Sequence, residues 1–187
     1  MSIVLVGSTS GSITLQEPAV AGTTVLDLPA TSGTILTTAS SGQSIPKAAL
    51  PTGSVLQVVQ GSFVNVTSTT STTYVDTGLS AVITPTSNTS KVLIFVNAAI
   101  EQLTAGTTAQ FVIDRNGTKP QDPNFIHSLA INDGTTLSFA YYDSPASTSA
   151  LTYKIQFKNE TGGYTTRFGS QSAGFAYTAI TLMEIAA

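Results

Sequence analysis

Few side chains in this chain of 187 residues are suited to chemistry, since it contains one histidine and no cysteine. Ser/His/Asp catalysis would depend entirely on His127, because an imidazole is the usual base that activates a serine hydroxyl. The pattern Gly-x-Ser-x-Gly, which marks the nucleophile of many hydrolases, does not occur. His127 lies at a polar position between Ile126 and Leu129. We interpret it as structural and expect no catalytic residue.

Metal ligands are equally sparse. A zinc site needs several Cys or His side chains, which this composition excludes. Asp114, Asn116 and Asp122 resemble part of a calcium loop, as do Asn132 and Asp133. Hairpin turns prefer the same residue types, because these bond to the local backbone and tolerate left-handed conformations. The turn interpretation is favoured, and we expect no metal and no cofactor.

The sequence favours neither of two kinds of sugar site. Glycoside hydrolysis needs two carboxylates that face each other, whereas most of the ten acidic residues here fall at strand ends or in turns. A sugar-stacking platform would need aromatic rings on one surface, and neighbouring strand residues point to opposite faces. Packing in the core or at a subunit interface is therefore the favoured role of the aromatic residues Phe125, Tyr141, Tyr142, Tyr164 and Phe168.

The charge content limits the partners of the chain. Charged residues make up 9% of it, against about 25% in typical soluble domains. The net charge is −3 and the basic residues are dispersed, whereas phosphate binding needs them clustered, so no nucleic-acid partner is expected. The sequence has no signal-peptide pattern and no apolar run near the ~18 residues that span a membrane. A surface with so few charges favours an oligomer that buries much of it.

The stretch Lys91–Glu101 predicts the central strand of a β-sandwich. Its even-numbered positions, from Val92 to Ile100, are all apolar, and alternate residues of a strand share one face. The odd-numbered positions include Leu93 and Phe95, which are too apolar to leave in water. The even face is therefore expected in the core, and the odd face is expected to be covered in part by a second copy of the chain.

From Ser54 onward, short strands recur at intervals near ten residues, which indicates an antiparallel β-sandwich of jelly-roll type. Gly61 and Gly78 are expected at bulges or corners, and Asn116-Gly117 at a tight hairpin turn. The strongest hairpin signal, at residues 132–134, lies between the predicted strands 125–131 and 136–142. Apolar and polar residues alternate over 151–158, which predicts a strand with one buried and one exposed face.

Residues 1–53 differ from the rest. Short phrases that begin at Gly11, Gly22 and Gly33 recur every eleven residues and carry the apolar residues Ile13, Leu15, Leu26 and Leu36. Such short strands are marginal by themselves. We therefore predict an N-terminal β-arm (residues 1–53) for attachment or oligomerisation, in which strands pair with other chains. A hinge over residues 39–53, with at most one helical turn between Pro46 and Pro51, leads into the sandwich at 54–187.

Part of the sequence resembles a known family. Tyr74-Val-Asp-Thr-Gly-Leu, the following alternation, Thr84-Pro85, a Ser-rich turn and Ser90-Lys-Val-Leu-Ile are similar to the C-terminal sandwich of tailed-bacteriophage virion proteins, often labelled tail-fibre-like. The stretch Ala179–Ile185 looks like the closing strand of that family. The resemblance covers roughly residues 54–187, and it implies a virion protein that assembles in the host cytoplasm as a homotrimer.

The expected function is structural and non-enzymatic. One hypothesis is a short trimeric fibre, attached to other virion proteins of the tail or head through the arm. An alternative is a capsid decoration protein that clamps the shell, and another is a carbohydrate-binding module that recognises a host surface glycan. Leu93 and Phe95, with Ile13, Leu15, Leu26 and Leu36, are the candidate attachment or oligomerisation residues.

The two faces of the 91–101 strand lead to a first prediction. Ile94→Asp should destabilise the protein by several kcal/mol, because it buries an unpaired charge. Lys91→Asp, at an exposed strand end, should stay within about half a kcal/mol. Thermal unfolding of the two variants measures the difference, and similar melting shifts would show that the even face is not core.

Overall fold

The computed structural model describes two compact units, residues 1–44 and 45–187, while the predicted boundary between residues 53 and 54 stays a prediction. No helix that could span a membrane occurs within the described ranges. Residues 3–5, 12–15, 125–128 and 133 are described by their backbone alone. The described residues are 3–6, 9, 12–15, 50–103, 108–120, 125–128, 133–169 and 177–187.

The described part of the first unit is a β-hairpin. Strands β1 (Ile3–Val6) and β2 (Ser12–Leu15) pair antiparallel, with Ile3 opposite Leu15. Strand β2 belongs to the first of the three predicted arm phrases. The phrases that begin at Gly22 and Gly33 lie outside the described residues, as does most of the predicted hinge.

The second unit is built from β-strands that pair antiparallel throughout the described ranges. They are β3 (Val55–Phe63), β4 (Thr67–Thr69), β5 (Val75–Ile83), β6 (Lys91–Gln102), β7 (Thr108–Arg115), β8 (Phe125–Ser128), β9 (Asp133–Asp143), β10 (Leu151–Asn159), β11 (Thr166–Phe168) and β12 (Thr178–Ile185).

Strand β6 is the centre of the first sheet, here called sheet one. Along one edge it pairs with β12 over residues 91–97 and with β11 over 100–102, and along the other edge with β9. Strand β3 lies beside β12, and β4 lies beside β11. Strands β12 and β11 thus form one interrupted strand next to β6, and β3 and β4 form a second interrupted strand next to that one. Sheet two has the order β5-β10-β7-β8. Counting the interrupted strands once, each sheet has four strand positions in jelly-roll order, which confirms the predicted fold class.

The core lies between the two sheets, as the alternation predicted. The even-numbered residues of β6 from Val92 to Ile100 are at most 1% exposed. Sheet two supplies Phe111 and Ile113 from β7, both fully buried as predicted, and the buried half of β10. One region of the core is aromatic, with ring centroids 6.1–6.2 Å apart in the contacting pairs formed by Phe63, Phe111, Phe157 and Phe168. Apolar burial on both inner faces holds the sandwich together.

The predicted hairpin at residues 132–134 is wrong, because β8 pairs with β7 in sheet two whereas β9 pairs with β6 in sheet one. Strand β9 begins within the predicted turn and runs beside β6 for eleven residues without a register shift. Burial of the inward side chains along β9 stabilises the fold more than a turn at residues 132–134 would. The Asn116-Gly117 turn is confirmed. Both residues have positive φ, and Arg115 and Thr118 exchange backbone hydrogen bonds of 2.7 and 2.9 Å.

The two glycines expected at bulges behave differently. Gly78 has φ +95° and lies where the register of β5 with β10 shifts, which confirms the bulge. Gly61 pairs regularly with Ile180, so the bulge predicted there is wrong. Its hydrogen is needed for another reason: a Cβ atom at Gly61 would lie 1.9 Å from the carbonyl oxygen of Ser80 on β5. The backbones of β3 and β5 approach each other closely at this point.

We therefore expect Gly61→Ala to destabilise the second unit, since the clashing atom belongs to the backbone. Overpacking of this kind typically costs about 1–3 kcal/mol. Gly162→Ala is the matched control, because a Cβ there meets only the methyl carbon of Thr72 at 3.7 Å. Chemical denaturation measures both variants, and equal midpoints would show that β3 and β5 are not in this close contact.

Candidate interface on the outer face of sheet one

The outer face of sheet one carries rows of side chains that cross four strands. The register places Val58, Met183, Leu93 and Tyr142 side by side in one row. The next row is Gln60, Thr181, Phe95 and Ala140, and the third is Ser62, Ala179, Asn97 and Ser138. These three rows are called the outer face below.

Several large apolar side chains of the outer face are open to solvent. Val58 is 56% exposed, Phe95 44% and Tyr142 52%. Leu93 and Met183 are half-buried between their neighbours. Single exposed apolar residues are ordinary, but a contiguous group across four strands is typical of a surface that contacts another macromolecule.

The outer face contains no charged residue in any of its twelve positions. Charges appear only past its ends, at Lys91 on one side and at the pair of Arg167 and Glu101 on the other, where nitrogen and oxygen are 3.2 Å apart. Tyr, Phe and Met are enriched and charges depleted at the centres of protein interfaces. Contact between two copies of such a face would set no like charges against each other.

The outer surface of sheet two differs in kind. Lys154 forms an ion pair with Asp76 at 2.9 Å, and Gln156 donates to the same carboxylate at 2.6 Å. Lys119 and Lys158 both lie over the ring of Tyr74, with 5.4 and 4.9 Å from each ammonium nitrogen to the ring centroid. Such a surface is well solvated. The outer face of sheet one is therefore the better candidate for contact with another macromolecule.

The predicted oligomerisation residues are placed as follows. Leu93 and Phe95 lie in neighbouring rows of the outer face, as their odd-numbered positions in β6 predict. Leu93 is half-buried and Phe95 is 44% exposed. Ile13 and Leu15 lie in β2, where the backbone alone is described, and Leu26 and Leu36 lie outside the described residues. Val58 was not predicted from the sequence, and Tyr142 was expected only to pack in the core or at a subunit interface. Only the strand order shows which neighbours share a face with Leu93.

The ionisable groups inside the sandwich include an inter-sheet cluster. Asp143 on β9 accepts hydrogen bonds from Arg115 at 2.6 Å and from the hydroxyl of Tyr153 at 2.7 Å, both on sheet two. Burial and the bond to Asp143 raise the pKa of the Tyr153 phenol, so it stays neutral. Burial alone would lower the pKa of Arg115, but the bond to Asp143 raises it overall. The cluster joins the two sheets at one end.

Asn159 ties the sheets at the opposite end. Its amide nitrogen donates to the carbonyl oxygens of Thr69 and Tyr164, at 3.0 and 2.7 Å. The hydroxyl of Thr166 contacts the side-chain oxygens of Gln102 and Asn159 at 2.7 and 2.5 Å. Asn159, Thr166 and Gln102 are fully buried. Buried polar networks of this kind favour one arrangement of the strands.

Glu184 is a fully buried carboxylate on β12, for which the described residues show no ion pair. It accepts hydrogen bonds from Gln57 at 2.6 Å and from the backbone nitrogen and hydroxyl of Thr86 at 2.6 and 2.7 Å. Burial alone raises the pKa of this carboxyl, but these hydrogen bonds outweigh it and the pKa lies below its usual value. Glu184 thereby joins β3, β12 and the turn before β6.

The residues considered for sugar or metal chemistry are scattered. Tyr141 points inward and Tyr142 outward, as the alternation predicted, and Phe168 is fully buried in the core. Asp114 accepts the backbone N–H of Gly117 at 2.9 Å, which is a turn contact. The side chain of His127 and residue Asp122 lie outside the described part. Among the described residues, no three His, Cys, Asp or Glu side chains are grouped so as to hold a metal ion.

A cleft of about 430 Å³ lies where the N-terminal approach to β3 meets the end of β12. Five Ser and Thr residues line it together with Leu50 and Leu56, and no charged side chain is among its described lining. Comparisons of the whole chain with protein-family models and with curated proteins give no match.

The outer face of sheet one is the candidate site that the geometry supports best, because it combines exposed apolar side chains with the absence of charge.

The carboxylate of Glu184 generates a pH prediction. Because its pKa is lowered in the folded state, the stabilisation is present above its usual pKa of 4.5 and is lost as the pH falls through the lower folded value. Glu184→Gln should lower the melting temperature at pH 7, since an amide nitrogen then faces Gln57. As the pH falls below 4.5, the difference in melting temperature between variant and parent should narrow. Calorimetry across pH measures the gap, and a constant gap would contradict this role.

Proposed function

We propose that this protein is a non-enzymatic structural protein of a tailed-bacteriophage virion, a homotrimeric short fibre attached through residues 1–53. The observation that carries the proposal is the uncharged outer face of sheet one, with Val58, Leu93, Phe95 and Tyr142. It is a surface suited to contact with a large partner. The resemblance of residues 54–187 to tail-fibre-like sandwiches supplies the class of particle and the number of copies.

The buried groups support a structural role as well. Asp143 and Glu184, two of the buried carboxylates, are both held by hydrogen bonds that join different parts of the sandwich. A general acid or base needs a free path to a substrate proton, and the contacts of these carboxylates are used for structure. They are therefore better suited to stability than to turnover.

The size of the outer face indicates that the arm also contributes to assembly. Three rows across four strands cover roughly 400 Å², from the spacings of residues and strands in a sheet. A stable interface usually buries about 800 Å² on each partner. The arm, with its repeated apolar phrases, is the segment expected to supply the remainder, either on neighbouring copies or on the particle.

The capsid decoration protein remains the second candidate, since a face and an arm of this kind would serve equally to clamp a shell. Labelling the protein and imaging whole virions separates the two, because a fibre lies on the tail or at a discrete attachment point and a decoration protein covers the head. A carbohydrate-binding module would instead retain specific glycans on an array.

The proposal predicts that the protein is a trimer in solution. Phe95→Lys should convert it to a monomer, because a trimer of this variant would place three ammonium groups at an apolar contact. Ser80→Lys is the matched control, since Ser80 is exposed on β5 in sheet two. Light scattering measures the mass of each. A parent protein that is monomeric, or equal dissociation by both variants, would contradict the proposed interface.

The arm is tested separately on particles. The full chain should bind virions that lack this protein, and the 54–187 fragment should bind far less, since three arms on one trimer act together. The fragment must first show cooperative unfolding, which establishes that it is folded. Equal binding by both forms would remove the arm from attachment.

A further inference from the structure

Two exposed apolar side chains lie beyond the rows of the outer face, at one end of sheet one. Val64 is 84% exposed and Tyr177 62%, more than any other large apolar side chain in the described part of the second unit. Phe63 on β3 pairs with Thr178 on β12. Val64 follows Phe63 and Tyr177 precedes Thr178, so both lie at the same end of this strand pair. They are called the apolar tip below.

The cleft described above lies at the opposite end of the same strand. Its lining includes Ala186 and Ala187, which directly follow the last residue of β12, whereas Tyr177 directly precedes the first. The eight residues of β12 separate the two features by roughly 27 Å, at the usual rise per residue of a strand. A chain therefore cannot place its own Tyr177 in its own cleft, but a second copy displaced along the direction of β12 can.

The cleft and the apolar tip match in size and in chemistry. A volume of about 430 Å³ is within the range of pockets that enclose small organic molecules, so an aromatic side chain fits. Leu50 and Leu56 give the cleft apolar surface, Ser and Thr residues give it hydroxyl groups, and its described lining is uncharged. A tyrosine side chain has the same two parts, a ring that packs on apolar groups and a hydroxyl that donates or accepts a hydrogen bond.

We propose that Tyr177 of one copy inserts into the cleft of a second copy, so that copies of this chain join head to tail. The two surfaces in this contact are different, so every joined copy still presents a cleft at one end and an apolar tip at the other. Repetition of such a contact produces a line of copies, unless the rotation between neighbours closes a ring. The inference goes beyond the proposed function, because the contact uses neither the outer face nor a place in a virion.

The area of this contact indicates how strong it is. One aromatic side chain buries about 150–250 Å², whereas a stable interface usually buries about 800 Å² on each partner. A single head-to-tail contact is therefore weak and short-lived between free copies. It persists where several such contacts act together, as they do between oligomers or between copies held on one surface. The experiment must accordingly trap the contact rather than rely on its affinity.

Disulfide trapping tests the proposal directly, because the chain has no cysteine of its own. A full-length Val64→Cys chain is mixed with an affinity-tagged Thr89→Cys chain, since Thr89 is exposed and lines the cleft. On oxidation we expect disulfides between the two kinds of chain, well above those that either kind forms by itself. A chain that carries both substitutions should form a ladder of dimers, trimers and longer multimers, because each copy then links to a neighbour at both ends.

Tyr177→Ala, added to the Val64→Cys chain, should reduce the cross-links to background without a change in thermal unfolding. Val82→Ala is the matched control, since it also removes an exposed apolar side chain but lies on β5, and Ser80→Cys is the control acceptor. Cross-links that persist with Tyr177→Ala, equal cross-links to position 80, or dimers alone from the doubly substituted chain would each overturn the head-to-tail contact. None of these results bears on the outer-face trimer, which light scattering tests separately.

Discussion

The structure depends on the antiparallel pairing of β6 along both of its edges. Because β12 and β11 occupy one edge and β9 the other, the even side chains of β6 are held toward sheet two along the whole strand. A shift of one residue would turn Ile94 outward and Phe95 inward, and would break every row on both faces. The register of one strand thus fixes the core and the outer face at the same time.

The polar clusters at the two ends of the sandwich complement this apolar centre. Asp143 with Arg115 and Tyr153 joins the sheets at one end, and Asn159 joins them at the other. Such groups are costly to bury unless they are paired, so they disfavour sliding of one sheet over the other. Buried Asp143 and its partner Arg115 thus hold the two sheets together, whereas the outer face of sheet one carries no charge.

The sequence predicted the features that depend on alternation along one strand. The faces of β6 and β10, the buried Phe111 and the tight turn at Asn116 were all correctly predicted from neighbouring residue types. Features that depend on which strands lie side by side could not be predicted. The partner of β9, the tight approach at Gly61 and the contribution of Val58 and Tyr142 to the outer face each require the strand order.

The interrupted strand formed by β11 and β12 has a further consequence. The backbone of Ala99 stays bonded across the gap, since its oxygen accepts the N–H of Gly169 at 2.8 Å and its nitrogen donates to the hydroxyl of Thr178 at 3.2 Å. The backbone up to Gly169 and the backbone from Thr178 onward are thus each held on the same line beside β6 by their own hydrogen bonds. One continuous strand, β6, therefore sets the register of both segments.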